Sequence, residues 1–106
     1  MSRAIVVREV GGPEVMEWVE QDPGAPDEGE VLVRHTAIGL NFIDVYHRTG
    51  LYPVAAPFTP GSEGVGVVEA IGGGVADVSI GDRVCYTSNG PIGSYCERRV
   101  LPATRL

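Results

Sequence analysis

Two histidines, two cysteines and fourteen carboxylates are the groups in this 106-residue chain that could hold a metal. A structural zinc site takes four ligands, commonly as close pairs such as C-x2-C. Cys85 and Cys96 have ten residues between them, and His35 and His47 fall on different predicted elements. No H-E-x-x-H run occurs. The spacing therefore points to no metal centre. Hydrolytic chemistry has no better footing. None of Ser2, Ser62, Ser79, Ser88 and Ser94 stands in a G-x-S-x-G elbow. Nothing places either cysteine beside a histidine, as an activated thiolate needs. The eight basic residues are all arginine. Without lysine there is no Walker A loop and no Schiff base. The run Gly61-Ser62-Glu63-Gly64-Val65-Gly66 also fails as a dinucleotide loop. Glu69 stands where the last glycine of G-x-G-x-x-G belongs, and a strand, not a helix, follows. A phosphate cradle needs a helix N-terminus behind it. Glycines here are expected to permit a bulge or close strand packing.

The elements that would position these groups are short and mostly extended. Glycine and proline together make 23 of 106 residues, which reads as a turn-rich, mainly β domain. Arg3 to Val10 is β-branched and apolar and predicts a strand, ended by Gly11-Gly12-Pro13. Val15 to Glu20 alternates around Trp18 and predicts a second. Glu30 to Gly39 is the strongest strand: Val31, Val33, His35 and Ala37 would share one face, with His35 as a buried, hydrogen-bonded histidine. Further strands are expected at Gly64–Ile71, Arg83–Tyr86 and Ser94–Val100, around a proline-rich loop from Leu51 to Gly61, a tight turn at Ser79–Asp82 and a loop from Thr87 to Gly93. The period changes once. Phe42, Val45 and Tyr46 fall on one face of a helix spanning about residues 41–49. Asn41 is placed to cap it, Asp44 meets its dipole, and Gly50 stops it. Six strands and one helix suggest a small barrel.

The charge is uneven. Met1 to Glu30 holds eight acids and two arginines, the whole of the net −6; the remainder is balanced. An acidic N-terminal part reads as a solvated face, with a docking surface for a basic partner as the rival reading. The sign argues against nucleic-acid binding, which needs a basic face. No apolar run approaches the ~18–20 residues of a membrane helix, and no secretory signal is visible. A cytoplasmic setting is expected, with Cys85 and Cys96 as reduced, partly buried thiols.

Against this background the chain resembles a known family. The runs G-G-P-E-V from Gly11, G-E-V-L-V-R from Gly29, A-I-G-L-N-F-I-D-V-Y from Ala37, R-T-G-L-Y-P from Arg48, P-G-S-E-G-V-G-V-V-E-A-I-G from Pro60 and G-D-R-V from Gly81 are similar to the N-terminal, GroES-like catalytic domain of the medium-chain dehydrogenase/reductases. Within them the chain most resembles the zinc-free, zeta-crystallin-like NADPH:quinone oxidoreductases. Zinc-bearing members carry a histidine where Ser62 stands and a cysteine near the start of the helix, where this chain reads Asn41-Phe42-Ile43.

The resemblance implies a GroES-like, partly open β-barrel over residues 1–106, with the Rossmann cofactor domain absent from this chain. The sequence is accordingly expected to be an isolated domain or a fragment, inactive alone. It implies NADPH as cofactor, bound mostly outside these residues, a quinone or other electron-poor carbonyl as substrate, and a homodimer in the full-length enzyme. Asn41, Phe42, Ile43 and Tyr46 would lie at the nicotinamide end of the cleft; Asn41, Ile43, Tyr46 and Tyr52 would line the substrate pocket. Tyr52 or Tyr46 would donate to the substrate oxygen, with Asn41 as an orienting amide. Other readings stay open: Asn41 as a helix cap, Tyr46 as core, and the whole chain as a GroES-type co-chaperonin or a non-catalytic dimerising domain.

Overall fold

The computed structural model describes residues 2–87 and 90–106, so Ser88 and Asn89, in the loop expected from Thr87 to Gly93, lie outside the described residues. Among the described residues six strands and one α-helix form. They are β1 (Arg3–Val7), β2 (Met16–Glu20), β3 (Glu30–Ile38), α1 (Phe42–Thr49), β4 (Gly64–Ile71), β5 (Arg83–Tyr86) and β6 (Arg98–Pro102). Short 3-10 turns occupy Pro13–Val15 and Ala103–Arg105. β1 and β2 make a two-stranded sheet, and the other four make a sheet in the order β5-β4-β3-β6. All neighbours are antiparallel. The barrel is partly open, as expected of a mainly β, GroES-like domain.

The core lies on one face of the larger sheet. Val31 and Val33 of β3, Val68 of β4, Tyr86 of β5 and Leu101 of β6 form a buried cluster, edged by Val75, Val78, Val84, Ala103 and Leu106. Burying each such side chain stabilises the fold by roughly 1.5–3 kcal/mol. The expected face of β3 holds through half-buried His35, which bonds Tyr86 of the core, and fails at Ala37. The pairing of β3 with β4 shifts register between His35 and Ala37, and a bulge breaks strict alternation, leaving Ala37 exposed. Gly66 is the residue opposite His35. A Cβ there would overlap the Arg34 carbonyl oxygen, so the glycine run serves close strand packing. On β3 and β6, Arg34 stands directly across from Arg98. Such like-charge neighbours repel, and Glu69 answers both, with Oε1 2.6 Å from Arg98 Nε and Oε2 3.9 Å from Arg34 Nε.

Two boundaries differ from the sequence expectation. β1 stops at Val7 rather than Val10, because its partner begins at Met16 opposite Val7; Val15 goes to the 3-10 turn. The last strand starts at Arg98, not Ser94. Residues 94–97 instead stitch the two sheets together. Ile5 N–H donates to the Tyr95 carbonyl and Glu97 N–H to the Arg3 carbonyl, each at 2.8 Å, while His35 N–H donates to the Glu97 carbonyl at 2.8 Å. A segment bonded alternately to two sheets cannot be a regular strand of either.

His35 is half-buried and fully engaged. A carbonyl oxygen only accepts, so Nδ1–H donates to the Cys96 carbonyl at 2.8 Å and Nε2 accepts from the Tyr86 hydroxyl at 2.7 Å. Arg99 donates to the same hydroxyl oxygen at 3.3 Å. Burial, with Arg99 nearby, holds the His35 pKa below its ordinary value despite the Cys96 bond. Both cysteines are free thiols; Cys85, expected to be partly buried, is exposed. Cys96 donates to the Gly93 carbonyl at 3.3 Å, and burial pushes its pKa up to about 11, so it is an inert thiol. No helix of the described residues is long and apolar enough to cross a membrane.

Candidate functional site

Helix α1 is where the sequence and the structure part company. Its apolar residues face outward: Phe42 is 81% exposed, and Ile43 and Val45 are also exposed. The one fully buried residue of the helix is Asp44, at 4%. The Phe42–Val45–Tyr46 stripe expected on one helical face is thus largely uncovered, because periodicity identifies a stripe but not what covers it.

Polar bonds hold the helix instead. Asn41 is its N-cap in extended conformation, and its N–H donates to Asp44 Oδ2 at 3.0 Å. The Tyr95 hydroxyl donates to the same oxygen at 2.8 Å. Burial, the Asp44 hydrogen bond and the Asp44 charge together raise the Tyr95 pKa well above the usual phenol value. Asp44 Oδ1 is buried and has no partner among the described residues. At the other end Arg48 Nε donates to the Gly11 carbonyl at 3.2 Å, and Gly11 N–H donates back to the Arg48 carbonyl at 3.0 Å. Gly50, at φ 87°, closes the helix in the left-handed region, where a side chain would be strained.

The residues expected at the site divide between two sides of α1. Asn41 and Phe42, with Leu40, Asp44, Val45, Arg48, Met16, Pro60 and Tyr95, line an open and mostly apolar cleft of about 400 Å³. Asn41 Nδ2 donates to Glu63 Oε1 at 3.0 Å. Ile43 and Tyr46 lie three residues apart on the side away from that cleft. There Tyr46 and Tyr52 meet edge to face with ring centroids 5.2 Å apart. Tyr52 N–H donates to the Tyr46 carbonyl at 3.2 Å, and His47 stands 6.4 Å from the Tyr52 ring. Tyr52 is 48% exposed and Tyr46 half-buried, so Tyr46 is not core. Sequence reasoning placed Asp44 in the first turn of the helix but missed its burial, and missed Glu63 and Tyr95 as residues that shape this region. Only Asp44, three residues past the cap, carried a local signal; the other two arrive through long-range bonds. Among the described residues no three His, Cys, Asp or Glu side chains converge as a metal centre would require.

Comparison with known proteins places the chain in a family. Residues 27–106 match the family model described as the alcohol dehydrogenase GroES-like domain. The chain belongs to that family. A quinone oxidoreductase of Pseudomonas aeruginosa is 50% identical over 109 residues, covering 100% of this chain and 33% of its own. A 2-haloacrylate reductase of a Burkholderia species is 43% identical over 110 residues, again covering 100% of this chain and 33% of its own. A crystal structure of Escherichia coli quinone oxidoreductase complexed with NADPH superposes with a TM-score of 0.92 at 40% identity, covering 99% of this chain and 32% of that one. The chain spans about a third of the length of the curated relatives it matches.

Proposed function

We propose that this chain is the substrate-side domain of an NADPH-dependent reductase that reduces a quinone or a comparable electron-poor carbonyl compound. The observation that carries the reading is the cluster at α1: a half-exposed tyrosine pair and a held asparagine amide, in a chain similar to quinone oxidoreductases.

The residues present fit one end of a nicotinamide dinucleotide and not the other. Asn41 and exposed Phe42 on the cleft side suit a flat, uncharged ring, as Ile43 and Tyr46 do on the other side of α1. The phosphates have no cradle among the described residues. The only α-helix there offers an N-terminus, but the Asp44 carboxylate already occupies it, and an anion would meet repulsion. Most of the cofactor would therefore be held by residues beyond these, in a Rossmann domain. When bound, NADPH supplies a hydride. This chain's own residues would do the rest. Tyr52, supported edge-on by Tyr46, presents an apolar ring to the substrate and a hydroxyl to its oxygen. Negative charge develops on that oxygen as the carbonyl accepts the hydride, and a donor aimed at it is worth more there than in the ground state. Asn41, held by Glu63, would serve as an orienting amide. Zinc has no part in this proposal: Ser62 and Asn41-Phe42-Ile43 stand where metal-bearing relatives place ligands, and a quinone is already electron-poor. A homodimer and a cytosolic setting, the latter consistent with two free thiols, complete the reading.

A second reading is favoured by the 2-haloacrylate reductase relative: reduction of an activated carbon–carbon double bond, with the tyrosine hydroxyl on the activating carbonyl or carboxylate oxygen. Steady-state rates with a benzoquinone and with an α,β-unsaturated acid or ketone separate the two. The measurement uses a chimera in which the chain replaces the matching third of the P. aeruginosa relative. The chain alone is expected not to bind NADPH at micromolar concentration. A saturable micromolar signal in nicotinamide fluorescence would end the claim that the cofactor is held elsewhere.

A further inference from the structure

Asn41 is clamped twice, by two different carboxylates. Asp44 takes its backbone N–H, and Glu63 takes its side-chain N–H at 3.0 Å. The two grips do different work. The first belongs to the helix start and uses a backbone N–H that any non-proline residue there would offer. The second has no such explanation, since Glu63 is twenty-two residues away and stands just before β4. Its placement is specific. Gly39 N–H donates to the Glu63 carbonyl at 3.4 Å, and a Cβ on Gly39 would overlap the Glu63 carboxylate. The side chain thus lies over a backbone kept bare for it, at the point where β3 hands over to α1.

We propose that Glu63 is a positioning residue that locks the Asn41 amide one way round. An asparagine amide has two ends of nearly equal shape and opposite hydrogen-bonding sense. A carboxylate can only accept, so it selects the nitrogen and turns the carbonyl oxygen away. What Asn41 offers to a ligand is then fixed before the ligand arrives: one remaining side-chain N–H in a known place, its carbonyl oxygen being turned to the Asp44 N–H of the capping box. Preorganisation of this kind is what a bound ring needs for a productive orientation. Glu63→Gln weakens the selection, because glutamine can meet either end of the amide and leaves only the Asp44 N–H of the capping box to choose. Glu63→Ala removes the partner altogether. The functional weight of the lock rests on the proposed role of Asn41 as an orienting amide; the lock itself does not.

Two measurements keep those apart. In the 1H–15N spectrum of the isotopically labelled chain, the two Asn41 Nδ2 protons should be well separated. In Glu63→Gln that separation should shrink while the backbone amides of β3, β4 and α1 stay in place. Asn41 side-chain signals that match between wild type and Glu63→Gln would overturn the lock. In the chimeric enzyme, Glu63→Gln should lower kcat for quinone about fivefold to tenfold, and Glu63→Ala further, with the KM for NADPH within about twofold of wild type. An altered Asn41 signal with unchanged kcat would remove Asn41 from the proposed chemistry and leave the lock standing. A rise in both KM values at constant kcat would make Glu63 a binding residue and contradict a positioning role.

Discussion

The β3–β4–β6 face and helix α1 are built on opposite principles. The sheet buries Val31, Val33, Val68 and Leu101 in the usual way, apolar side chains inward. The helix buries an aspartate and shows its phenylalanine to solvent. One region is stabilised by removing hydrocarbon from water; the other is held by five directed bonds that involve Asp44, Arg48, Gly11, Tyr95 and Glu63. The difference teaches where function sits. Apolar surface spent on a core cannot bind anything, whereas α1 keeps Phe42, Ile43 and the Tyr46–Tyr52 pair at or near the surface because polar anchors position it.

The comparison can be broken or sharpened by substitution. Leu101→Ala, in the fully buried cluster, should cost about 2–5 kcal/mol and lower the urea midpoint accordingly; a loss below about 1 kcal/mol would mean that the sheet is not the main source of stability. Tyr95→Phe deletes one of the two donors on a buried carboxylate and should cost about 1–3 kcal/mol. Near-UV dichroism and the α1 amide signals would show whether the helix loosens, as expected, while the sheet stays intact; a neutral substitution would deny the polar anchor. The His35 network gives a smaller and pH-dependent effect. His35 is held neutral in the fold, with Tyr86, Arg99 and Cys96 around it, while the unfolded chain takes up a proton near pH ~6.5. The unfolded state then binds more protons, so stability should fall as pH drops below that value. Denaturant curves at neutral and mildly acidic pH should show this for the wild type and less for His35→Asn; equal slopes would contradict a neutral, engaged ring. Phe42→Ser should change stability by no more than about 0.5 kcal/mol, the mark of a side chain that the domain does not use for itself.

Much of this was legible in the residues, for reasons that follow the same divide. β3 was readable because alternation with one buried face is a local signal, and it failed only at the His35–Ala37 bulge, which the opposing strand imposes. The limits of α1 were readable from Asn41, Asp44 and Gly50, which act within one turn. Its orientation was not, because periodicity is blind to which stripe is covered. The 94–97 segment reads as strand because its alternation matches one, while its bonds run to β1 and β3, some ninety and sixty residues away. For the site, tyrosines and asparagine near α1 were visible as types, but the split between the cleft side and the tyrosine side depends on helix rotation. Glu63 could not be connected to Asn41 without the turn from β3 into α1.

The measurement that bears most directly on the account is the steady-state kinetics of the chimeric enzyme carrying this chain, with Tyr52 intact and as Tyr52→Phe. NADPH-dependent reduction of a benzoquinone should be retained, and the phenylalanine variant should lose about tenfold or more in kcat with NADPH binding unchanged. A folded, NADPH-binding chimera that reduces no quinone, or one indifferent to the loss of the Tyr52 hydroxyl, would contradict it.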